Sequence, residues 1–315
     1  MRAIQVTEFG GPEVLVMRDI DEPVPGDGEV VVDVRAAGVN YADTHQVENT
    51  YLAPARLPLV PGGEVVGITP DGKRVVALVT GGGYAERAVV NPFAMWEVPD
   101  GVSDVQALGL VLQGTTAWHL LRTSAALRAG ETVVVHAAAG GVGTLAIQLA
   151  KRFGAGRVIG VASSEEKREL ARRLGADAVV DGAAEDLTAA LIEANGGQRV
   201  DVILEMVGGR TFEQSLSALA HFGRLVAYGQ AGREGAPAVD PGKLMATSRG
   251  VLGFWLVHML RQPERMREAL DDMFAAVLAG ELEVIEGGSF PLEDAHRAHE
   301  AIRARGTVGK LVITP

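Results

Sequence analysis

Ala138, Gly140 and Gly143, in the stretch HAAAGGVG (136–143), have the spacing of a phosphate-binding turn, with alanine in place of its first glycine. The chemistry is recognition of a pyrophosphate. A small first residue permits a tight turn, Gly140 lets the backbone approach the phosphates, and Gly143 lets a helix lie close to the preceding strand. The unpaired N–H groups and positive dipole end of that helix would then face the negative charge. A bare strand-to-helix turn needs the same small residues, so the flanks decide. TVVVHAA (132–138) is an aliphatic strand, and GTLAIQLAKRFG (143–154) carries apolar residues at helical spacing. A dinucleotide is the expected ligand.

The end of the next strand selects among dinucleotides. Sites that prefer NAD place a carboxylate there, on the ribose 2′-OH. Here the chain reads VASSEEK (161–167), with Ala162, Ser163 and Ser164 at that point and Lys167 one helical turn on. Hydroxyls and an ammonium suit a 2′-phosphate, so NADP is expected. The same residues also read as a helix start, with Ser163-x-x-Glu166 as a capping box, and Glu165 or Glu166 would repel a phosphate.

These residues need a frame. EVVVDVRAAGV (29–39), EVVGI (64–68), KRVVALV (73–79) and GYAERAVV (83–90) are short Val-rich strands separated by Gly- and Pro-containing turns. DVQALGLVLQGTTAWHLLRTSA (104–125) carries helical spacing, and strands and helices alternate after it. The strands expected are 132–138, 157–163, 177–181, 200–207, 223–229 and 250–256, with helices at 143–154 and 165–175 among them. Continuous aliphatic strands with intervening helices predict a parallel sheet covered on both faces, in doubly wound order 3-2-1-4-5-6. Helices at 263–282 and 291–306 precede a last strand, KLVITP (310–315). A completed six-stranded sheet has no place for it, so it returns to the β-rich first domain. The fold class is α/β: a β-rich domain (1–113 and 257–315) around a doubly wound domain (114–256).

Composition removes several functions. The chain has 315 residues, a net charge of −11 and no Lys/Arg stripe, which argues against a nucleic-acid partner. Without cysteine there is no disulfide, no thiolate nucleophile and no Cys-ligated zinc. MRAIQVTEFG lacks the apolar core of a signal peptide, and VLGFWLVHML (251–260) is too short to span a bilayer. A cytoplasmic, soluble protein is expected.

Several stretches together carry a family resemblance: AAGVNYADTH (36–45), PLVPGGEVVG (58–67), GGGYAERAVV (81–90), GTTAWHLL (114–121), GETVVVHAAAGGVGTLAIQLAK (130–151) and AHEAIRARGTVGKLVI (298–313). The chain resembles the zinc-free quinone oxidoreductases, the zeta-crystallin-like branch of the medium-chain dehydrogenase/reductase superfamily. The resemblance implies a GroES-like catalytic domain around a Rossmann domain, NADPH as cofactor, a substrate cleft between domains, and a homodimer through the strand 250–256. Where metal-dependent relatives carry Gly-His-Glu, this chain has Gly62-Gly63-Glu64, so the zinc histidine is absent. Glu64 then reads as structural. His296 and His299 lack a third ligand and read as surface histidines.

Residue by residue, the resemblance implies that Asn40 and Asp43 line the cleft, with Asn40 also counted among the cofactor-binding residues and loop capping as the alternative for both. It places Thr116 near the nicotinamide, although a helix cap would also use a threonine there. Ala139, Gly140, Gly141 and Val142 form the pyrophosphate turn, and Tyr228 and Gly229 lie beside the nicotinamide ribose. Arg305 joins Ser163 and Lys167 at the 2′-phosphate, and Tyr51 stands at the substrate mouth. No nucleophile or acid–base dyad stands out, which suits hydride transfer, where the cofactor carries the chemistry. The reaction implied is hydride delivery from NADPH to a quinone or an activated C=C bond, with Asn40 or Tyr51 hydrogen-bonding the acceptor oxygen. An enoyl or enone reductase is the nearest alternative, and a non-catalytic NADPH-binding structural protein the more distant one.

Overall fold

Val30–Val39 is the strand on which the first unit is built. Its β-branched run pairs antiparallel with Arg87–Val90 along one half (Val30 opposite Val90, Asp33 opposite Arg87). It also pairs with Glu64–Ile68 (Ala37 opposite Val65) and with the last strand, Lys310–Thr314 (Leu311 opposite Val39). The computed structural model describes residues 1–315 and divides them into two units, Met1–Gln113 with His258–Pro315, and Gly114–Val257. The sheet of the first unit runs in the order Glu286–Pro291, Lys310–Thr314, Val30–Val39, Glu64–Ile68, Arg74–Leu78, Met95–Glu97. Ile4, Val32, Val39, Val65, Ala77, Tyr84 and Ile313 fill its core. The last strand therefore returns to the β-rich unit, as its sequence position required.

The second unit holds a six-stranded parallel sheet in the order Ala178–Asp181, Arg157–Ala162, Thr132–Val135, Val200–Glu205, Leu219–Ala227, Gly250–Gly253. Numbered along the chain this is 3-2-1-4-5-6, the doubly wound order. Val134, Ile159, Ile203 and Leu225 are fully buried in it, as expected of strands covered on both faces.

Several element boundaries differ from expectation. The helix from Asp104 is capped by Ser103, whose Oγ accepts from Gln106 N at 3.1 Å while Gln106 Oε1 accepts from Ser103 N at 2.8 Å. It then widens into π-turns at Gly109–Gly114 and Leu120–Ser124. The sixth Rossmann strand is shorter than predicted and ends at Gly253. The segment from Pro291 holds one 3₁₀ turn before its helix begins at Ala295, and Glu286–Pro291 is an additional strand, parallel to Lys310–Thr314. No helix is long and apolar enough to cross a membrane.

Candidate active site

The glycine turn has the geometry its spacing implies. Thr132–Val135 ends, Gly140 serves as N-cap with no side chain to cap the helix, and Gly141–Arg152 begins. The first amides of that helix are thus left for an anion. A Cβ on Gly143 would overlap the carbonyl oxygen of Ala137, so only glycine lets the helix come this near. The left-handed residue of the turn is Ala137, at φ 47°, rather than Ala138, and its carbonyl accepts from Gly140 N at 2.8 Å. Ala139 is buried, and Gly141 and Val142 are half-exposed. These features fit a pyrophosphate.

At the end of Arg157–Ala162, Ser163 is exposed and Lys167 half-buried. The helix Glu165–Arg173 is capped by Ser164, not Ser163: its Oγ accepts from Lys167 N at 3.4 Å. The expected Ser163–Glu166 box is therefore off by one residue. Ser163 is freed from capping. Sequence reading missed Arg168. Its guanidinium donates to Ala162 O at 3.2 Å and to Glu165 at 3.0 Å, and lies 3.4 Å from Asp181 Oδ1. It is a second cation at the end of this strand, already partnered by carboxylates.

In the first unit, three neighbouring strands bring distant residues to one place. Asn40 follows Val39 and opens the helix Tyr41–Val47. Its backbone N–H is capped by Asp43 Oδ2 at 2.8 Å, and the residue is 4% exposed. Asn40 Nδ2 donates to Glu64 Oε1 at 2.7 Å, and Oδ1 accepts from Gln113 Nε2 at 3.1 Å and from Lys310 Nζ at 3.4 Å. Lys310 and Glu64 form an ion pair with 1% and 0% side-chain exposure. Gly38 makes room, since a Cβ there would overlap Glu64 Oε1 and sit 2.6 Å from Lys310 Nζ. Glu64 Oε2 and Gln113 Oε1 are buried without a hydrogen-bond partner.

A second buried chain adjoins the first. Tyr84 OH donates to Asp43 Oδ2 at 3.1 Å and lies 3.1 Å from His299 Nε2. Burial pushes the Asp43 carboxyl up to about 7, against the opposing hydrogen bonds from Asn40 N and Tyr84. Burial pulls His299 down to about 4. His299 is thus a core residue, not the surface histidine expected. The signal was present: Ala295, Ala298, His299 and Ile302 share one helix face, and the first three are buried. At Gly63, a Cβ would make only ordinary contacts, with Asp43 Oδ1 at 3.8 Å nearest, so packing does not force glycine there. No group of three or more His, Asp or Glu side chains is placed to hold a metal ion.

The remaining residues are placed as follows. Thr116 is buried inside the helical run and cannot be a cap, because Gly114 before it is already helical. Tyr51 is half-buried in the loop after Tyr41–Val47, and none of the Asn40 carboxamide's hydrogen bonds reaches it. Tyr228 N donates to Glu205 O at 3.0 Å, which fixes the turn leading to exposed Gly229. Arg305 is exposed at φ 55°, in the turn after Ala295–Arg303 of the first unit, while Ser163 and Lys167 belong to the second.

Two family models match: an alcohol dehydrogenase GroES-like domain over residues 26–100 and a zinc-binding dehydrogenase over 141–275. The chain is 36% identical to a quinone oxidoreductase of Pseudomonas aeruginosa, covering 100% of this chain and 99% of the relative. Among solved structures, the Escherichia coli quinone oxidoreductase complexed with NADPH is 31% identical, with TM-score 0.93 over 100% of both chains. The Thermus thermophilus quinone oxidoreductase, also solved with NADPH, is 38% identical, with TM-score 0.89 and the same coverage. The chain belongs to the quinone oxidoreductase branch of the medium-chain dehydrogenase/reductase superfamily.

Proposed function

We propose that this protein is an NADPH-dependent oxidoreductase that reduces quinones, and activated C=C bonds of similar shape, without a metal. The observation that carries this is full-length similarity to quinone oxidoreductases solved with NADPH, together with an uncapped glycine turn that fits a pyrophosphate. Ala139, Gly140, Gly141 and Val142 are assigned to the pyrophosphate, and Ser163, Lys167 and Arg305 to the 2′-phosphate. Thr116, Tyr228 and Gly229 are assigned to the nicotinamide half. Bound NADPH would supply the hydride, and with one proton, from water or a neighbouring hydroxyl, a quinone would leave as hydroquinone and the cofactor as NADP⁺.

The chain's own part is to bind, orient and stabilise. Asn40 Nδ2 carries two hydrogens, and Glu64 takes one. The second is left to donate to the acceptor oxygen as that atom gains negative charge. Tyr51 is assigned to the same acceptor. Loss of cysteine and of the zinc histidine supports the metal-free route.

A homodimer through the edge strand Gly250–Gly253 belongs to the same proposal. Leu252 is 39% exposed on that strand, Phe222, at 79%, lies on the neighbouring strand Leu219–Ala227, and Met245, at 80%, on the helix Pro241–Thr247 before it. The functional reading is tested by following NADPH oxidation with a panel of quinones, enals and enones. Turnover with quinones supports it; turnover with enones alone would make the protein an enone reductase, and none with any acceptor would contradict it.

A further inference from the structure

We infer that Glu64, Gln113 and Lys310 are positioning residues that lock the Asn40 carboxamide with its nitrogen as the available donor. The inference rests on the reading of Asn40 as the group that meets the acceptor oxygen.

The two ends of an asparagine amide have nearly the same shape, so only their neighbours decide which end points where. Around Asn40 the neighbours are opposite in kind. Two donors, Gln113 Nε2 at 3.1 Å and Lys310 Nζ at 3.4 Å, face the oxygen. One acceptor, Glu64 Oε1 at 2.7 Å, faces the nitrogen. A flipped amide would set N–H against an ammonium and an amide N–H, and oxygen against a carboxylate. The contacts to Glu64 and Lys310, whose polarity is fixed, would both be lost, and Gln113 could keep its own only by turning its amide as well. The orientation is therefore single.

Stability alone does not account for the arrangement. A buried ion pair commonly gives no net stability over an apolar pair of the same volume. Two further buried acceptors, Glu64 Oε2 and Gln113 Oε1, have no partner, which costs stability. The backbone also gives way to the pair, since Gly38 must lack a side chain beneath it. The ladder register supplies the placement. Leu311 lies opposite Val39 and Val65 opposite Ala37, so Lys310 and Glu64 reach the end of the strand that Asn40 follows.

The test compares Asn40→Ala, the charge-neutral pair Glu64→Gln with Lys310→Met, and all three together, reading kcat and KM for a quinone and Kd for NADPH. Asn40→Ala should lower kcat roughly ten- to a thousandfold. The neutral pair should lower kcat about tenfold or more while Kd for NADPH stays within about twofold, and the triple variant should be no worse than Asn40→Ala alone. Wild-type kcat in the neutral pair overturns the inference, as do losses that multiply in the triple variant. Wild-type kcat in Asn40→Ala overturns the reading beneath it, a separate failure. Should the neutral pair fail to fold, Gln113→Met leaves the ion pair intact and decides the matter. A severalfold fall in kcat that vanishes on Asn40→Ala supports the inference, and any other result overturns it.

Discussion

His136 and Asp43 are both buried, yet acid acts on them in opposite senses. Burial lowers the His136 pKa to about 4. The unfolded chain, with histidine near 6.5, therefore binds the extra proton first, and stability present above pH 6.5 is lost as pH falls towards 4. His299 adds a loss of the same sign. Asp43, raised to about 7, binds its proton in the folded state first, so its contribution is fullest below pH 4 and is lost as pH rises through 7. Among these three groups, two histidines against one carboxyl leave a fall on acidification, about 1.4 kcal/mol per pH unit for each unbalanced proton. His136→Gln should flatten the thermal-stability profile between pH 6.5 and 4, and an unchanged slope would remove His136 from the account. The proposed 2′-phosphate contacts belong to this scale too. Lys167→Ala and Arg305→Ala should each weaken NADPH binding on the order of tenfold while leaving NADH nearly unchanged, since charge-assisted contacts are worth about 1.5–3 kcal/mol. Titrating both variants with each cofactor checks this, and equal losses for NADH would contradict it.

The turn between Thr132–Val135 and Gly141–Arg152 depends on one missing methyl group. Gly143→Ala would drive its Cβ into the Ala137 carbonyl, which is backbone and cannot swing aside. It should cost about 2–3 kcal/mol or more and weaken NADPH binding. Gly235→Ala, where a Cβ meets nothing within 4 Å, should change stability by no more than about 0.5 kcal/mol. Equal melting temperatures for the two variants would contradict this. This turn was legible in the sequence because its residues are contiguous and its chemistry is steric. The strand order was legible for a related reason: aliphatic runs alternating with helices admit few topologies. The Asn40 network was not. Its members lie 24, 73 and 270 residues from Asn40, and strand register brings in Glu64 and Lys310 while Gln113 arrives on the π-turn Gly109–Gly114. The π-turns at Gly109–Gly114 and Leu120–Ser124 leave no trace in apolar spacing, and the Ser163-to-Ser164 cap shift is a one-residue choice among adjacent hydroxyls.

At the scale of the whole molecule, the second unit's sheet ends on Gly250–Gly253, which pairs on one side only. An edge with an exposed leucine is a template for another strand. Leu252→Lys should turn the proposed dimer into a monomer in analytical ultracentrifugation at micromolar concentration, and a wild-type monomer would sink the proposed interface. Metal-free reduction of a quinone by NADPH is met directly by a single assay. Purified protein is treated exhaustively with a chelator and mixed with a simple quinone and either NADPH or NADH, and cofactor absorbance is followed. Rapid quinone-dependent oxidation of NADPH, slow oxidation of NADH and no gain on adding zinc are the predicted results. Activity that appears only when zinc is restored, or no quinone-dependent oxidation of NADPH, would contradict the account.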